Sequence, residues 1–154
     1  MINNIHSSSG APGSNEYLEL REHSPAACLV RKLEVQSPGV PLQIKGVRDD
    51  VGASDGFRLY VGRAWPPGIS RRQGVVDAWM PALAPSAALL KWFRNKPELW
   101  PEFSRRYAAE MQQQAAALDG IRETARCQRV TLLHAAKLPW MNHATVLAAI
   151  LRGV

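Results

Sequence analysis

Two cysteines are all that this 154-residue chain has, Cys28 and Cys127, standing 99 positions apart. With no CxxC pair and no Cys/His ligand spacing, neither a disulfide framework nor a zinc site is expected. Long apolar runs are missing too, since no window reaches the roughly 18 residues that a membrane span requires. The opening Met1-Ile-Asn-Asn-Ile5 has neither the basic start nor the apolar stretch of a secretory signal. A reducing cytoplasm is the compartment that these absences fit. No Walker loop, GxGxxG, HExxH or GxSxG occurs, so no cofactor and no metal are expected. A carboxylate pair for acid/base work is also lacking, because Asp49, Asp50 and Asp55 fall in one loop. Acids are scarce overall: 13 against 19 lysines and arginines, for a net charge of +6.

The charge is unevenly spread. Residues 1–41 hold three basic and four acidic residues, whereas 42–154 hold sixteen and nine, a net +7. Such an excess favours anionic partners without by itself making a site. Residues 1–15 form a Ser/Gly/Pro/Asn tract with little to bury. We read 1–41 as a leader outside the domain, with Leu29–Val35 the one stretch that could add a strand. The domain, 42–154, is long enough for its own core.

Leu42–Val47 alternates apolar and polar residues and reads as a half-buried strand. After a loop from Arg48 to Gly56, Phe57–Val61 forms a second strand, and Val75–Met80 a short extended piece. Ser86 suits an N-cap, its hydroxyl accepting from an amide of the first turn. Leu89, Leu90, Trp92 and Phe93 follow at helical spacing. Pro97 suits the start of the next helix, which lines up Trp100, Phe103, Tyr107 and Met111, with Glu102 and Arg106 able to pair at i,i+4. Gly120 is expected to break this helix from a further piece, Ile121–Cys127. Val130–Ala136 reads as a buried strand, and Asn142 as the cap of a last helix with a stripe of Val146, Leu147, Ile150 and Leu151. The order predicts an α/β fold: a single small domain with a mixed or mostly parallel sheet flanked by helices.

In open parallel sheets, ligands bind beyond the carboxyl ends of the strands. Two strands lead into unusual segments there, 62–68 and 137–143, which should face each other. Arg63 can take a carboxylate or phosphate in two parallel hydrogen bonds, or instead tie down the loop or pair with an acid such as Asp77. Trp65, with Pro66 and Gly68, stiffens the loop or stacks on a base. Arg58 is the weaker cation, on a sheet face. His143 lies on the inward side of the last helix, where the helix dipole disfavours its cationic form and leaves a neutral imidazole for acid/base work. Asn142, as cap, would help Arg63 frame an anion site. His134 reads as a core histidine and Ser86 as a cap rather than a nucleophile.

Four motifs in order carry a resemblance. They are Asp55-Gly-Phe-Arg-Leu-Tyr-Val-Gly-Arg-Ala-Trp-Pro-Pro-Gly68; Trp79-Met-Pro-Ala-Leu-Ala-Pro-Ser86 with Lys91-Trp-Phe93; Trp100-Pro-Glu-Phe103 with Tyr107 and Glu110; and Val130-Thr-Leu-Leu-His-Ala-Ala-Lys137 with Asn142-His-Ala144. Over residues 42–152 the chain resembles the domain of unknown function 488 family of YeaO-like bacterial proteins, whose first motif runs roughly DGyRvLVDRlWPRG. The resemblance implies no agreed substrate, cofactor or mechanism. It does expose departures: Gly62 stands where the family has aspartate, Pro67 and Leu90 where it has arginine, and Asn95 where it has histidine. A degraded or altered activity is the implied consequence.

The residues support three functions. The first is a cytoplasmic anion-binding protein, its pocket lined by Arg63, Trp65, Asn142 and His143, for a phosphorylated or carboxylated small molecule or a nucleotide. In that reading His143 is the acid/base group if any reaction occurs. The second is nucleic-acid binding through Arg71, Arg72, Arg94, Lys96, Arg105 and Arg106. The third is a non-catalytic interaction scaffold.

Overall fold

The computed structural model describes residues 41–153. Four strands form one parallel sheet, in the order β1 (Leu42–Gly46), β4 (Val130–His134), β2 (Phe57–Tyr60) and β3 (Ala78–Trp79). The centre of that sheet is β4, all five of whose residues are buried. Its run of Val130-Thr-Leu-Leu has the near-continuous hydrophobicity of a strand covered on both faces. Leu132 sits level with Ile44 on one side and Leu59 on the other. The α/β expectation with parallel pairing therefore holds. The stretch Leu29–Val35, which could have added a strand, lies outside the described residues.

Because side chains alternate along a strand, the register sorts the sheet into two faces. Phe57, Leu59, Val130, Leu132 and Ala78 face the main core. Four helices cover that side: α1 (Ala87–Phe93), α2 (Trp100–Met111), α3 (Ala115–Cys127) and α4 (His143–Arg152). Phe93, Phe103 and Tyr107 form an aromatic spine through this core. The Tyr107 hydroxyl, its pKa pushed up by burial, donates to the Leu83 carbonyl at 2.6 Å. The opposite face carries a second, small cluster of Val47, Tyr60 and Leu133, against which Ile69, Val76 and Trp79 pack. Among the described residues, that side is covered by loops and the short 3-10 turn Arg71–Gln73, whose Arg71 lies over Trp79.

Ser86 caps α1 as expected, its hydroxyl accepting from the Leu89 amide at 3.1 Å. The same hydroxyl donates to Glu110 at 2.5 Å, and the Ser86 amide binds the other carboxylate oxygen at 2.9 Å. One side chain thus fastens α1 to α2. Pro97 opens a short 3-10 turn, Pro97–Leu99, that runs into α2. Glu102 pairs with Arg106 at 2.9 Å.

Gly120 does not break the helix. It lies inside α3, and the interruption falls instead at the 3-10 turn Gln112–Gln114. A glycine in a helix costs about 1 kcal/mol. Burying Leu118, Ile121 and Ala125 on one face outweighs that, and Thr124 bonds back to the Gly120 carbonyl at 3.0 Å. Cys127 closes α3 and is disulfide-bonded, against the expectation of no cross-link. The cysteine-based argument for a reducing compartment falls with it. No helix among the described residues is long and apolar enough to cross a membrane.

Candidate functional site

Strands β2 and β4 lie side by side and point the same way, so the segments leaving them emerge together. Pairing extends one step past β2, where the Val61 amide donates to Leu133 at 3.1 Å. The next carbonyl, that of Val61, is taken from the other segment: His143 Nε2 lies 2.7 Å from it. A carbonyl can only accept, so Nε2 carries the proton and Nδ1 is the lone-pair nitrogen. The two segments do meet, and His143 is the clasp between them.

A small part of the His143 ring reaches the surface, but protein surrounds it closely. Burial pushes its pKa down to about 4, more than the Val61 carbonyl raises it. The ring stands edge-on to Tyr107 at 5.8 Å between centroids. It is neutral at physiological pH, as its place at the start of α4 suggested.

Asn142 is the cap of α4, its Oδ1 accepting from the Thr145 amide at 3.1 Å and the Thr145 hydroxyl at 3.2 Å. Its Nδ2 donates to the Pro139 carbonyl at 2.7 Å. The carboxamide is buried and shapes the loop from within.

Arg63 is exposed, and no hydrogen bond or ion pair holds it among the described residues. Asp77, the acid it might have paired with, instead accepts the Arg58 backbone amide at 2.9 Å. The guanidinium therefore stands free at the exit of β2. Trp65 is differently placed. Its indole N–H donates to Ile69 at 2.6 Å, its ring packs edge-on against Tyr60 and Trp79, and Arg71 lies 4.8 Å from its centre. It stiffens the loop, and little of its surface is left for a base.

Arg58 is buried, against the solvated sheet-face position expected for it, and so is not free to bind a ligand. Its Nε donates to the Val75 carbonyl at 2.6 Å and its Nη1 pairs with Asp55, while Nη2 has no partner. Burial alone would raise the Asp55 carboxyl, but the Gly52 amide, Lys45 and Arg58 together hold it below its usual value. Lys45 and Asp55 are 3.1 Å apart. This is a polar network under the loop-covered face, which Lys45 connects to the rim of a cleft at the strand exits.

Two clefts open at the carboxyl end of β4. One, of about 540 Å³, is lined by Asn95, Ala135, Ala136, Lys137, Leu138 and Met141. The other, of about 470 Å³, runs toward β1 and includes His134, Asp49, Lys137 and Trp140. Lys137 borders both. Arg63, Trp65, Asn142 and His143 line neither. Sequence reasoning noted Asn95 only as a departure from the family pattern and gave no role to Lys137 or Trp140, although a Lys-Leu-Pro-Trp run straight after a buried strand was a usable signal. Asn95 and Arg94 both have positive φ, 55° and 52°, a strained backbone of the kind that collects at working sites.

Residues 41–153 match the model of an inactive DUF488-N3 subclade. The chain belongs to the DUF488 family. Escherichia coli YeaO, an uncharacterized protein, is 36% identical over 113 residues, covering 73% of this chain and 98% of YeaO. The Mycobacterium tuberculosis uncharacterized protein Rv3073c is 35% identical over 112 residues, covering 73% of this chain and 94% of its own. No solved structure matches significantly.

The geometry also explains one departure from the family pattern. Residues two apart on a strand share a face, and a Cβ at position 62 would run into the hydroxyl and ring of Tyr60. That ring turns toward Ala64, donating to its carbonyl at 2.9 Å. The family pattern has leucine and aspartate at these two positions. Here tyrosine and glycine stand together, and the tyrosine occupies the room of the acid.

Proposed function

We propose that this DUF488 protein binds a small anion, phosphorylated or carboxylated, in the crevice at the carboxyl ends of β2 and β4, and does not turn it over. Arg63 is the primary contact and Lys137 the second. They lie three and four residues beyond the paired Tyr60 and Leu133 on adjacent strands. His143 holds the β2 exit in place for Arg63, and Asn142 shapes the loop that follows β4. The observation that carries this reading is the free guanidinium of Arg63, next to the Val61–His143 clasp. The planar fork of an arginine at a strand exit matches a planar or tetrahedral anion in two parallel hydrogen bonds, which a lysine cannot offer.

Binding without turnover is favoured by what the crevice holds. The His143 Nε2–H is taken up by a backbone carbonyl. Gly62 supplies no acid, and the matching family model describes an inactive subclade. The six arginines and lysines of the nucleic-acid reading divide between the two layers. Arg71 stacks over Trp65 and Trp79 on the loop-covered face, whereas Arg105 and Arg106 are on α2, paired with Glu102. A single phosphate-tracking surface is not favoured by that division.

Isothermal titration with ribose 5-phosphate tests the reading. Arg63→Ala should weaken binding about 10- to 100-fold, the loss of a charge-assisted hydrogen-bond pair, with the melting temperature unchanged. Equal affinity of the two proteins would overturn it.

A further inference from the structure

The cleft toward β1 has a composition that a bare phosphate does not need. Trp140, at its rim, is 64% exposed. An indole left in water at the mouth of a cavity is a stacking surface, and stacking on a base contributes about 1–3 kcal/mol. Deeper in, His134 is buried, and its Nδ1 accepts from the Ala136 amide at 3.1 Å. The proton therefore sits on Nε2, which has no hydrogen-bond partner among the described residues, and His134 lines the cleft. Asp49 lines the same wall; one of its oxygens accepts the Gly46 amide at 2.8 Å. The other oxygen can accept from a ligand. Lys137 connects this cleft with the neighbouring one. Lys45 also lines it but is committed to Asp55 and to the Asp50 carbonyl.

A flat face, one N–H donor, one carboxylate acceptor and one cation form a complementary set. They fit a nitrogen heteroaromatic ring that offers both an acceptor and a donor along its edge and carries an anionic group. A volume of about 470 Å³ is in the range of small-molecule sites and accommodates such a ring with a sugar.

We infer that the anion bound by this protein is a nucleoside monophosphate, its base stacked on Trp140 and read by His134 and Asp49, and its phosphate reaching Lys137. This rests on the anion-binding reading above and adds the identity of the ligand's other half.

Titrations of the full chain with adenosine and uridine 5′-monophosphates, set beside ribose 5-phosphate, decide it. At least one nucleotide should bind ten-fold or more tighter than the sugar phosphate. Trp140→Ala should abolish that gain and leave ribose 5-phosphate affinity unchanged, and Trp140→Phe should keep most of it. Because Trp140 is exposed, its variants should fold, and an unchanged melting temperature checks this. If nucleotides and ribose 5-phosphate bind equally, or Trp140→Ala has no effect, the inference fails while the anion site stands. If the nucleoside without phosphate binds as well as the nucleotide, the anion reading fails and the base cleft stands. If nothing binds, both fail.

Discussion

Gly62 is the residue at which this chain differs most instructively from its family pattern. Adding a single methyl there forces the Tyr60 ring out of contact with Trp65 and away from the Ala64 carbonyl. Gly62→Ala should lower stability by about 1–3 kcal/mol, the usual penalty of overpacking. The same change should cost much less in a Tyr60→Leu background, and a double-mutant cycle by urea denaturation reads the difference. Equal costs in both backgrounds would show that Tyr60 is not what excludes a side chain at 62. His143 gives a second prediction at this scale. Its folded pKa is lowered to about 4, so between that value and its ordinary one of about 6.5 the unfolded chain binds the proton and the folded chain does not. Stability is therefore present above pH 6.5 and lost as pH falls toward 4. From pH 7 to pH 5 the wild type should lose about 1–2 kcal/mol more than His143→Gln, which keeps a donor for Val61. Parallel losses in the two proteins would contradict this assignment.

At the scale of elements, the sheet and helices were largely legible, and the reasons are local. A strand such as Val130–His134 announces itself because burial on both faces leaves no polar alternation. Ser86 and Asn142 are legible as caps because their short side chains reach the free amides of a first turn. Gly120 misled because helix propensity is weak beside the burial of Leu118 and Ile121. Arg58 and Asp55 misled differently: charges three apart look solvated in sequence, and only the covering loop reveals a buried pair. The end of α1 was not legible at all. Arg94 closes it with a left-handed backbone, φ 52°, and Asn95 follows at 55°, where glycine would be the ordinary choice. Arg94→Gly should raise stability by about 0.5–1 kcal/mol, seen as a higher denaturation midpoint with an unchanged slope. A lower midpoint would mean that the Arg94 side chain holds the turn.

On the scale of the whole molecule, helices on one sheet face and mainly loops on the other leave the strand exits as the place where Arg63, Lys137 and two clefts lie. The candidate site was half legible. Arg63 and the meeting of the two exit segments could be read from strand order, but the lining of the clefts depends on how Lys137–Trp140 folds back. The family model begins at residue 41, and we expect the core to need little before it. Deleting Met1 to Gly39 should leave a folded protein with a midpoint lower by only a few degrees, about 1 kcal/mol in a domain of this size. Both proteins should be compared in reductant, because Cys127 is disulfide-bonded. A fall of ten degrees or more, or insoluble expression, would place the leader within the fold. The central claim, an anion held between the exits of β2 and β4 by Arg63, has a direct test. A two-dimensional ¹H–¹⁵N spectrum titrated with ribose 5-phosphate should show saturable shifts at the Arg63 side chain and the backbone of residues 62–64 and 136–138. Shifts centred on Arg72, Arg94 and Lys96, or none at these exits, would contradict it.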